Sequence, residues 1–439
     1  MTKRAWWLVA LNLLIPGSAQ LLAGSRRLGR FGVRSTFVLW ALVLLAILAY
    51  NFVQPAFITV VTHPLTLWVA QAAIVFYVVL WIVLTFDALR LVRLVKVAPS
   101  ARAFVAGFSV ILLVVLGGAG AYGVMVAGVT RDTVGEVFGG TTIEPPVDGR
   151  YNILLLGGDA GPDRDGLRPD SISVVSVEAS TGKATIIGIP RNMEDVPFVE
   201  GSPMAAAYPD GYGLYGCEVD VCLINSIYTE VELVSPELYP DAEANGSNPG
   251  IEAMRDAVEG VLGITIQYYV LIDMQGFADL ISALGGITID VVNRLPITDE
   301  VDENGQPYGD VGWIEPGVQF MDGTMALTYA RLRAGTTDYD RMQRQRQVQE
   351  AIIQQFEPAN VLTKFQAVAQ AGAQVVSTDI PQSMLGYFVE LAGKSRQLPI
   401  DALELVPESG VDPEFPDFAY IRQLVLEALV LTPEETGAP

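Results

Sequence analysis

Three stretches of this chain, residues 5–25, 35–86 and 103–130, contain no Asp, Glu, Lys or Arg, and that absence limits the fold more than any other feature. A helix needs about 20 apolar residues to cross the hydrocarbon of a bilayer. Only helices or closed barrels cross it with every backbone group satisfied. The middle stretch, broken at Pro55 and Pro64, is long enough for two crossings. A membrane region over residues 1–130 is therefore expected, with spans near 35–53, 66–86 and 103–127. A further segment near 5–24 contains Pro16 and Gly17, which would break it or turn it back. Composition agrees: 51% apolar residues against 17% charged is too apolar for an ordinary soluble enzyme.

Charge gives the orientation. Basic residues gather at Arg26, Arg27, Arg30 and Arg34 and again at Arg90, Arg93, Lys96 and Arg102, whereas residues 54–65 have none. The positive-inside rule places the first two connections in the cytoplasm, so the last span carries everything after Thr130 out of the cell. The expected protein is multi-pass in the cell membrane with an extracytoplasmic C-terminal domain. Ser25-Arg26-Arg27 is a poor cleavage site, which argues against a removed signal peptide. Residues 1–127 carry a net +9 within a chain of −22, leaving −31 for the rest. No nucleic-acid partner is expected of so acidic a domain.

The polar half is also limited in its chemistry. The one histidine, His63, lies among the apolar segments, so neither a histidine triad nor a His/Cys zinc site can be built there. Any metal must be held by oxygen. Outside the cytosol a short-loop disulfide between Cys217 and Cys222 is expected, the plain alternative being two free buried thiols.

Residues 151–156 form a short apolar run ending in Gly157-Gly158, expected as a buried strand and a tight turn. Residues 171–177 and 184–189 read as further strands, the last stopped by Pro190. Residues 251–262 and 274–284 have helical spacing, 268–272 and 287–292 read as strands, and 342–356, 362–376 and 381–391 read as helices. Helices alternating with apolar strands predict an α/β domain, a central sheet flanked by helices, over residues 151–430. Residues 131–150, with Gly139-Gly140 and Pro145-Pro146, read as a juxtamembrane linker, and residues 431–439 as a polar tail.

Five of the seventeen basic residues in the external half fall within sixteen positions: Arg331, Arg333, Arg341, Arg344 and Arg346. Such a cluster in an acidic domain predicts a site for a multiply charged anion, because guanidinium groups grip phosphate oxygens in pairs. The alternative is pairing with the surplus carboxylates on a solvated face. In an extended segment Arg331 and Arg333 would point the same way. Asp338 or Asp340 could cap a helix beginning near Arg341, with Arg341, Arg344 and Val348 on one face. Asp159 and Asp170 are placed to reach one sheet edge if their strands are neighbours, where with phosphate oxygens and water they would suit Mg²⁺. Arg191 would point to that edge too. Ordinary turn chemistry is the competing explanation for the aspartates.

Read in order, YNILLLGGDA (151–160), LRPDSISVVSVEASTGKATIIGIPRN (167–192), LIN (223–225), DMQGFADLISALGGITIDV (273–291), GVQFMDGTMALTYARLR (317–333) and DYDRMQRQRQV (338–348) resemble the LytR-CpsA-Psr family of cell-wall enzymes. The resemblance covers about residues 150–430. It implies a single α/β domain with a central mixed sheet and an apolar pocket for a prenyl chain. It further implies a Mg²⁺-dependent phosphotransferase that moves a glycopolymer from a polyprenyl-pyrophosphate carrier in the membrane onto peptidoglycan through a phosphodiester. By position, Asp159 and Asp170 correspond to the family's carboxylates around Mg²⁺ and pyrophosphate. Arg168, Arg191, Arg331, Arg333, Arg341, Arg344 and Gln345 resemble its pyrophosphate ligands, and Asn225 a recurring polar position; Asp159, Asp170, Arg191, Arg331 and Arg333 are the residues expected to carry catalysis. The chain departs from the family pattern at Asn192, where an acid is usual, and at Gly161, where an arginine is usual and Arg164 would substitute. Three or four spans replace the usual one. Rival functions are a polyprenyl-pyrophosphate phosphatase using the same site and a non-catalytic membrane receptor for lipid-linked glycans.

Overall fold

The computed structural model describes residues 2–92, 97–159, 167–298, 307, 312–355 and 376–429. The chain divides into two compact units, Met1–Asp132 and Thr133–Pro439.

The first unit consists of helices α1 (Thr2–Leu14), α2 (Ser18–Ala23), α3 (Arg26–Phe52), α4 (Gln54–Thr62), α5 (Pro64–Val92) and the start of α6 (Pro99–Val137). Three helical stretches, Arg26–Phe52, Pro64–Val92 and Ala101–Gly135, are long and apolar enough to cross a membrane. Their outward side chains, among them Phe37, Leu45, Phe76 and Val114, are large and apolar. The segment near 5–24 is split into helices of 13 and 6 residues, each shorter than the roughly 20 residues a crossing takes. The break has a local cause. Gly17 sits at φ +96° with the backbone of Gly29, Gly32 and Val33 within 2.9 Å of where a Cβ would lie, so only glycine fits that bend against α3. Polar side chains then tie the broken segment to α5: Asn12 Nδ2 donates to Thr85 Oγ1 at 3.2 Å, and Gln20 Nε2 to the Leu84 carbonyl at 2.7 Å.

The region expected as a linker is more structured than its glycines and prolines suggest. It is helical through Val137, and Phe138–Gly140 form β1, the edge strand of the second unit's sheet. Next come β2 (Arg150–Asp159), β3 (Arg168–Glu178), β4 (Ala184–Ile189), α7 (Pro203–Ala207), α8 (Ile227–Leu233), α9 (Pro249–Leu262), β5 (Tyr268–Asp273), α10 (Met274–Leu284) and β6 (Ile287–Val291). After these lie β7 (Leu295–Pro296), β8 (Trp313–Ile314), β9 (Gly317–Met321), α11 (Gly323–Arg331), α12 (Asp338–Gln355), β10 (Val376–Pro381), α13 (Leu385–Ser395), β11 (Asp401–Glu404) and α14 (Phe418–Leu429).

Seven strands form one mixed sheet in the order β1-β10-β5-β2-β3-β4-β11. The pairs β2/β3, β3/β4 and β5/β10 are antiparallel, and β2/β5, β4/β11 and β1/β10 are parallel. All six residues of β4 are buried, as a strand covered on both faces requires. The side chains alternate between two cores. Leu154, Leu156, Ile187 and Ile189 pack with α8, α9 and α14 on one face. Tyr151, Val175, Val177 and Ile186 pack with α13 on the other. A third core joins α10, α11 and α12 to the separate β6/β9 ribbon.

Some expected boundaries shift. The first strand does not turn at Gly157-Gly158; it bulges there and continues to Asp159. The strand from Ile287 pairs with β9 and lies outside the main sheet. The helix expected over 381–391 begins four residues later, because Val376–Pro381 pairs with β5 and β1. The helix expected over 362–376 and the tail at 431–439 lie outside the described residues. Cys217 and Cys222 are joined in a disulfide. Their loop closes over Glu230, a buried carboxylate that accepts from Tyr212 Oη at 2.7 Å and the Glu218 N–H at 3.2 Å.

Candidate functional site

β2 and β3 are adjacent, and their register sets Asp159 opposite Arg168, with Asp170 two residues further along β3. Both aspartates therefore sit at one end of the sheet, as the sequence spacing suggested; the side chain of Asp159 lies outside the described residues, as do Gly161 and Arg164. At the bulge the two strands approach closely: a Cβ on Gly158 would lie 2.7 Å from the Leu167 side chain. Next in the sheet, β4 stops before Pro190, which has no N–H to continue the ladder. Arg191 then turns back over the same end. Its Nη1 donates to Asp170 Oδ1, and its Nη2 lies 3.4 Å from Asp338 Oδ1. The Asn225 N–H donates to the Arg191 carbonyl at 3.4 Å, so Asn225 holds the arginine's backbone and its own side chain is not required for that bond.

Helices α11 and α12 supply the remaining cations. Arg331 is the last residue of α11 and Arg333 follows its cap, so the two leave a helix end and are not neighbours on an extended strand. Both still line the same cavity. The cap of α12 is Thr337: its Oγ1 accepts from the Asp340 N–H at 3.1 Å while Asp340 Oδ2 accepts from the Thr337 N–H at 2.7 Å, a reciprocal capping box. Asp338 is thus released from capping. Its carboxylate lies between Arg191 and Arg341, with Arg341 Nη2 at 3.0 Å and 3.1 Å from its two oxygens.

Arg341 is the centre of the site. Its side chain is 2% exposed, and its Nε has no hydrogen-bond partner among the described residues. Burial pushes its guanidinium down to about 10; Asp338 opposes that shift, and the nearby charges of Arg191 and Arg333 add to it. Asp170 is shared, since its second oxygen lies 3.9 Å from Arg333 Nη2. Of the charged residues that line the cavity here, three are arginines (Arg331, Arg333 and Arg341) and two are aspartates (Asp170 and Asp273).

Of these groups Asp170, Arg331, Arg333 and Arg341 line a cavity of about 590 Å³, and Arg191 and Asp338 are joined to it through Asp170 and Arg341. Its polar lining comes from Asp170, Asp273, Arg331, Arg333, Arg341, Gln345 and Gln349, and its apolar lining from residues such as Leu155, Val270, Ile272, Phe277, Leu280, Leu327 and Ile352. Cations at one end of an apolar cleft suit an amphiphile with an anionic head and a hydrocarbon tail.

Not every expected ligand arrives. Arg344 is buried beneath α11, where Nε donates to the Tyr329 carbonyl at 3.0 Å and Nη2 to the Leu332 carbonyl. It fixes the α11–α12 connection and does not line the cavity. Arg346 pairs with Glu404 at 2.7 Å through both Nε and Nη2. Arg168 does not line the cavity either. Conversely, Asp338 and Gln349 were not anticipated as part of the site. The three-residue spacing of Asp338 from Arg341 was the available signal, since such pairs face each other on a helix. Among the described residues no three His, Cys, Asp or Glu side chains come together as a metal site.

A family model described as the LytR_cpsA_psr family matches residues 130–410. The polyisoprenyl-teichoic acid--peptidoglycan teichoic acid transferase TagU of Halalkalibacterium halodurans is 26% identical over 234 residues, 52% of this chain and 61% of that protein. TagV of Bacillus subtilis, which bears the same transferase description, is 32% identical over 136 residues, 30% of this chain and 34% of that protein. The cell wall biosynthesis protein LcpA of Corynebacterium glutamicum is 28% identical over 342 residues, 69% of this chain and 61% of that protein. In each case the match takes in less than two thirds of the relative's own length. The crystal structure of Bacillus subtilis TagV aligns with a TM-score of 0.44 at 23% identity, covering 65% of this chain and all of that one.

Proposed function

The chain belongs to the LytR-CpsA-Psr family, and from that membership we propose that it transfers a glycopolymer from a polyprenyl-pyrophosphate carrier to peptidoglycan in cell-wall assembly. The observation that carries the reading is the buried, incompletely satisfied Arg341 at the cationic end of an apolar cavity. The prenyl chain occupies the cleft among Phe277, Leu280, Leu327 and Ile352. The diphosphate meets Arg191, Arg331, Arg333 and Arg341, and Gln345 contributes amide contacts. A peptidoglycan hydroxyl attacks the phosphorus next to the sugar, a new P–O bond forms, and the bond to polyprenyl phosphate breaks. Phosphoryl transfer depends on positioning and charge stabilisation more than on covalent help from the protein, so arginines held by α11, α12 and the end of β4 are sufficient machinery.

Mg²⁺ is part of the proposal. Asp170 and Asp159 would hold it, and when bound it would supply neutralisation of charge on phosphoryl oxygens. Hard oxygen donors fit this ion, which keeps several waters and takes phosphate oxygens beside one or two carboxylates. The membrane helices would hold the enzyme beside its lipid substrate, with the α/β unit outside the cell. A protease added to intact cells should then reach that unit and no cytoplasmic marker.

The deciding experiment supplies the full-length protein with labelled lipid-linked polymer, Mg²⁺ and peptidoglycan. Label joined to peptidoglycan is expected, and chelation of Mg²⁺ should suppress it. Phosphate release without joined product would make the protein a pyrophosphatase, and binding without turnover a receptor.

A further inference from the structure

The first unit carries a charged face that the transfer reaction does not use. Arg26, Arg27, Arg30 and Arg34 lie at the start of α3, and all four are exposed. At about 100° per residue they fall within an arc of about 100° on the helix surface. The other side of the same turns is made of small residues that fasten α3 to the broken segment and to α5. A Cβ on Gly29 would lie 2.5 Å from the Leu21 backbone, and one on Gly32 2.8 Å from the Leu84 side chain. That packing leaves the arginines facing outward.

No carboxylate answers these charges. Asp87 is the one acid among residues 1–127, and none of the four guanidiniums forms an ion pair among the described residues. Arg26, Arg30 and Arg34 are spaced four apart, where like charges destabilise a helix, and Arg26 and Arg27 oppose the helix dipole from its first turn. Such a face calls for anions from outside the chain. Further along α3 the same arc becomes apolar, carried by Phe37, Leu44, Leu45 and Leu48, all exposed. At about 1.5 Å per residue, Arg26 and Arg34 are about 12 Å apart along the axis, and Leu48 lies about 21 Å beyond Arg34. The second distance exceeds the half-thickness of a hydrocarbon core of about 30 Å.

We propose that this face of α3 binds anionic phospholipids, their headgroups held by Arg26, Arg27, Arg30 and Arg34 and their acyl chains lying along Phe37, Leu44, Leu45 and Leu48. Phosphodiester oxygens accept from the guanidiniums, which grip them better than lysine would. A single polyprenyl phosphate brings one charged group and cannot meet arginines spread over about 12 Å of helix; a layer of phospholipid headgroups can. The charge bias of the connections makes this the cytoplasmic leaflet. The site belongs to the first unit and does not depend on the transferase reading.

The test reconstitutes the full chain in phosphatidylcholine vesicles and compares spin-labelled phosphatidylglycerol with spin-labelled phosphatidylcholine by electron paramagnetic resonance. The wild type should prefer the anionic label about 3- to 10-fold at low salt, and about 0.5 M NaCl should shrink that preference. Replacing all four arginines by Gln should leave less than about a twofold preference. Arg30→Gln alone should lower it by about half, and decides the matter should the fourfold variant fail to assemble. Arg90→Gln, a charge on α5 outside this face, should change it less. No preference in the wild type, a preference that the arginine variants retain, or an equal effect of Arg90→Gln overturns the proposal. So does displacement of the anionic label by polyprenyl phosphate but not by phosphatidylglycerol at equal mole fraction, which would give the face to the carrier lipid.

Discussion

The two ends of the central sheet each bury an arginine whose Nε has no hydrogen-bond partner among the described residues, yet the surroundings of the two are opposite. Arg255 sits among carboxylates: Asp379 and Glu252 pair with it, and despite burial those charges hold its guanidinium above the usual range. Arg341 pairs with Asp338 but also feels the charges of Arg191 and Arg333, and burial brings it down to about 10. The first arginine is part of the framework. Its partner Asp379 also accepts from the Tyr269 N–H at 2.8 Å and so ties β10 to β5 and α9. The second is held in a state that an anion would relieve. The difference teaches that burial of a charge does not identify its task; the sign of what surrounds it does.

The largest effect that could break this comparison is on stability. Asp379→Ala leaves Arg255 buried beside a weaker partner and should cost about 3–5 kcal/mol in denaturant unfolding; a loss below about 1 kcal/mol would remove Arg255 from the framework. The same sheet end should also show a pH signature. Burial pushes the Asp256 carboxyl up to about 6, with neighbouring Glu259 adding to the shift and the Tyr239 hydroxyl opposing it. A carboxyl raised above its unfolded value favours the protonated form in the folded state. Stability from this group is thus present below about pH 4 and is lost as pH rises to 6, by at most about 3 kcal/mol. Asp256→Asn should flatten that part of the stability profile, and an unchanged slope would contradict the assignment.

At the other end the expected losses are in binding. Arg341→Met, which leaves Asp338 still paired with Arg191, should lower affinity for a prenyl pyrophosphate about 10- to 100-fold, matching one charge-assisted hydrogen-bonding group. Its melting temperature should hold or rise; a fall as large as that of Asp379→Ala would make the two arginines equivalent. Arg333→Ala is the mildest change. Arg333 is half-exposed and 3.9 Å from Asp170, so a loss of about 3- to 5-fold is expected, as for a solvent-screened charge, and full salt sensitivity in the variant would argue that it contributes nothing.

Much of this molecule was legible before any coordinates. Charge-free runs gave three long helices, the Pro16-Gly17 break gave a split segment, and apolar runs gave β2, β3, β4 and β5 to within a few residues. Asp170, Arg191, Arg331, Arg333, Arg341 and Gln345 were named from the chain and come together in space. Two readings differ from the structure, each for its own reason. Gly157-Gly158 looked like a turn because a bulge uses the same residue, and the 131–150 segment looked like a linker because β1 is only three residues long and its partner lies far away in sequence.

The run lengths, the charge bias and the supply of arginines are set by the amino-acid sequence itself, because crossing a bilayer and attracting an anion depend on residue type more than on neighbours. Which arginine does what was decided only by tertiary packing. On the single helix α12, Arg341 faces the cavity, Arg344 the carbonyls of Tyr329 and Leu332, and Arg346 Glu404. All three are buried, so helical periodicity cannot separate them. The pairing at the other sheet end left no trace in the sequence at all: Arg255 and Asp379 lie 124 positions apart, and only the closing of the sheet brings them together.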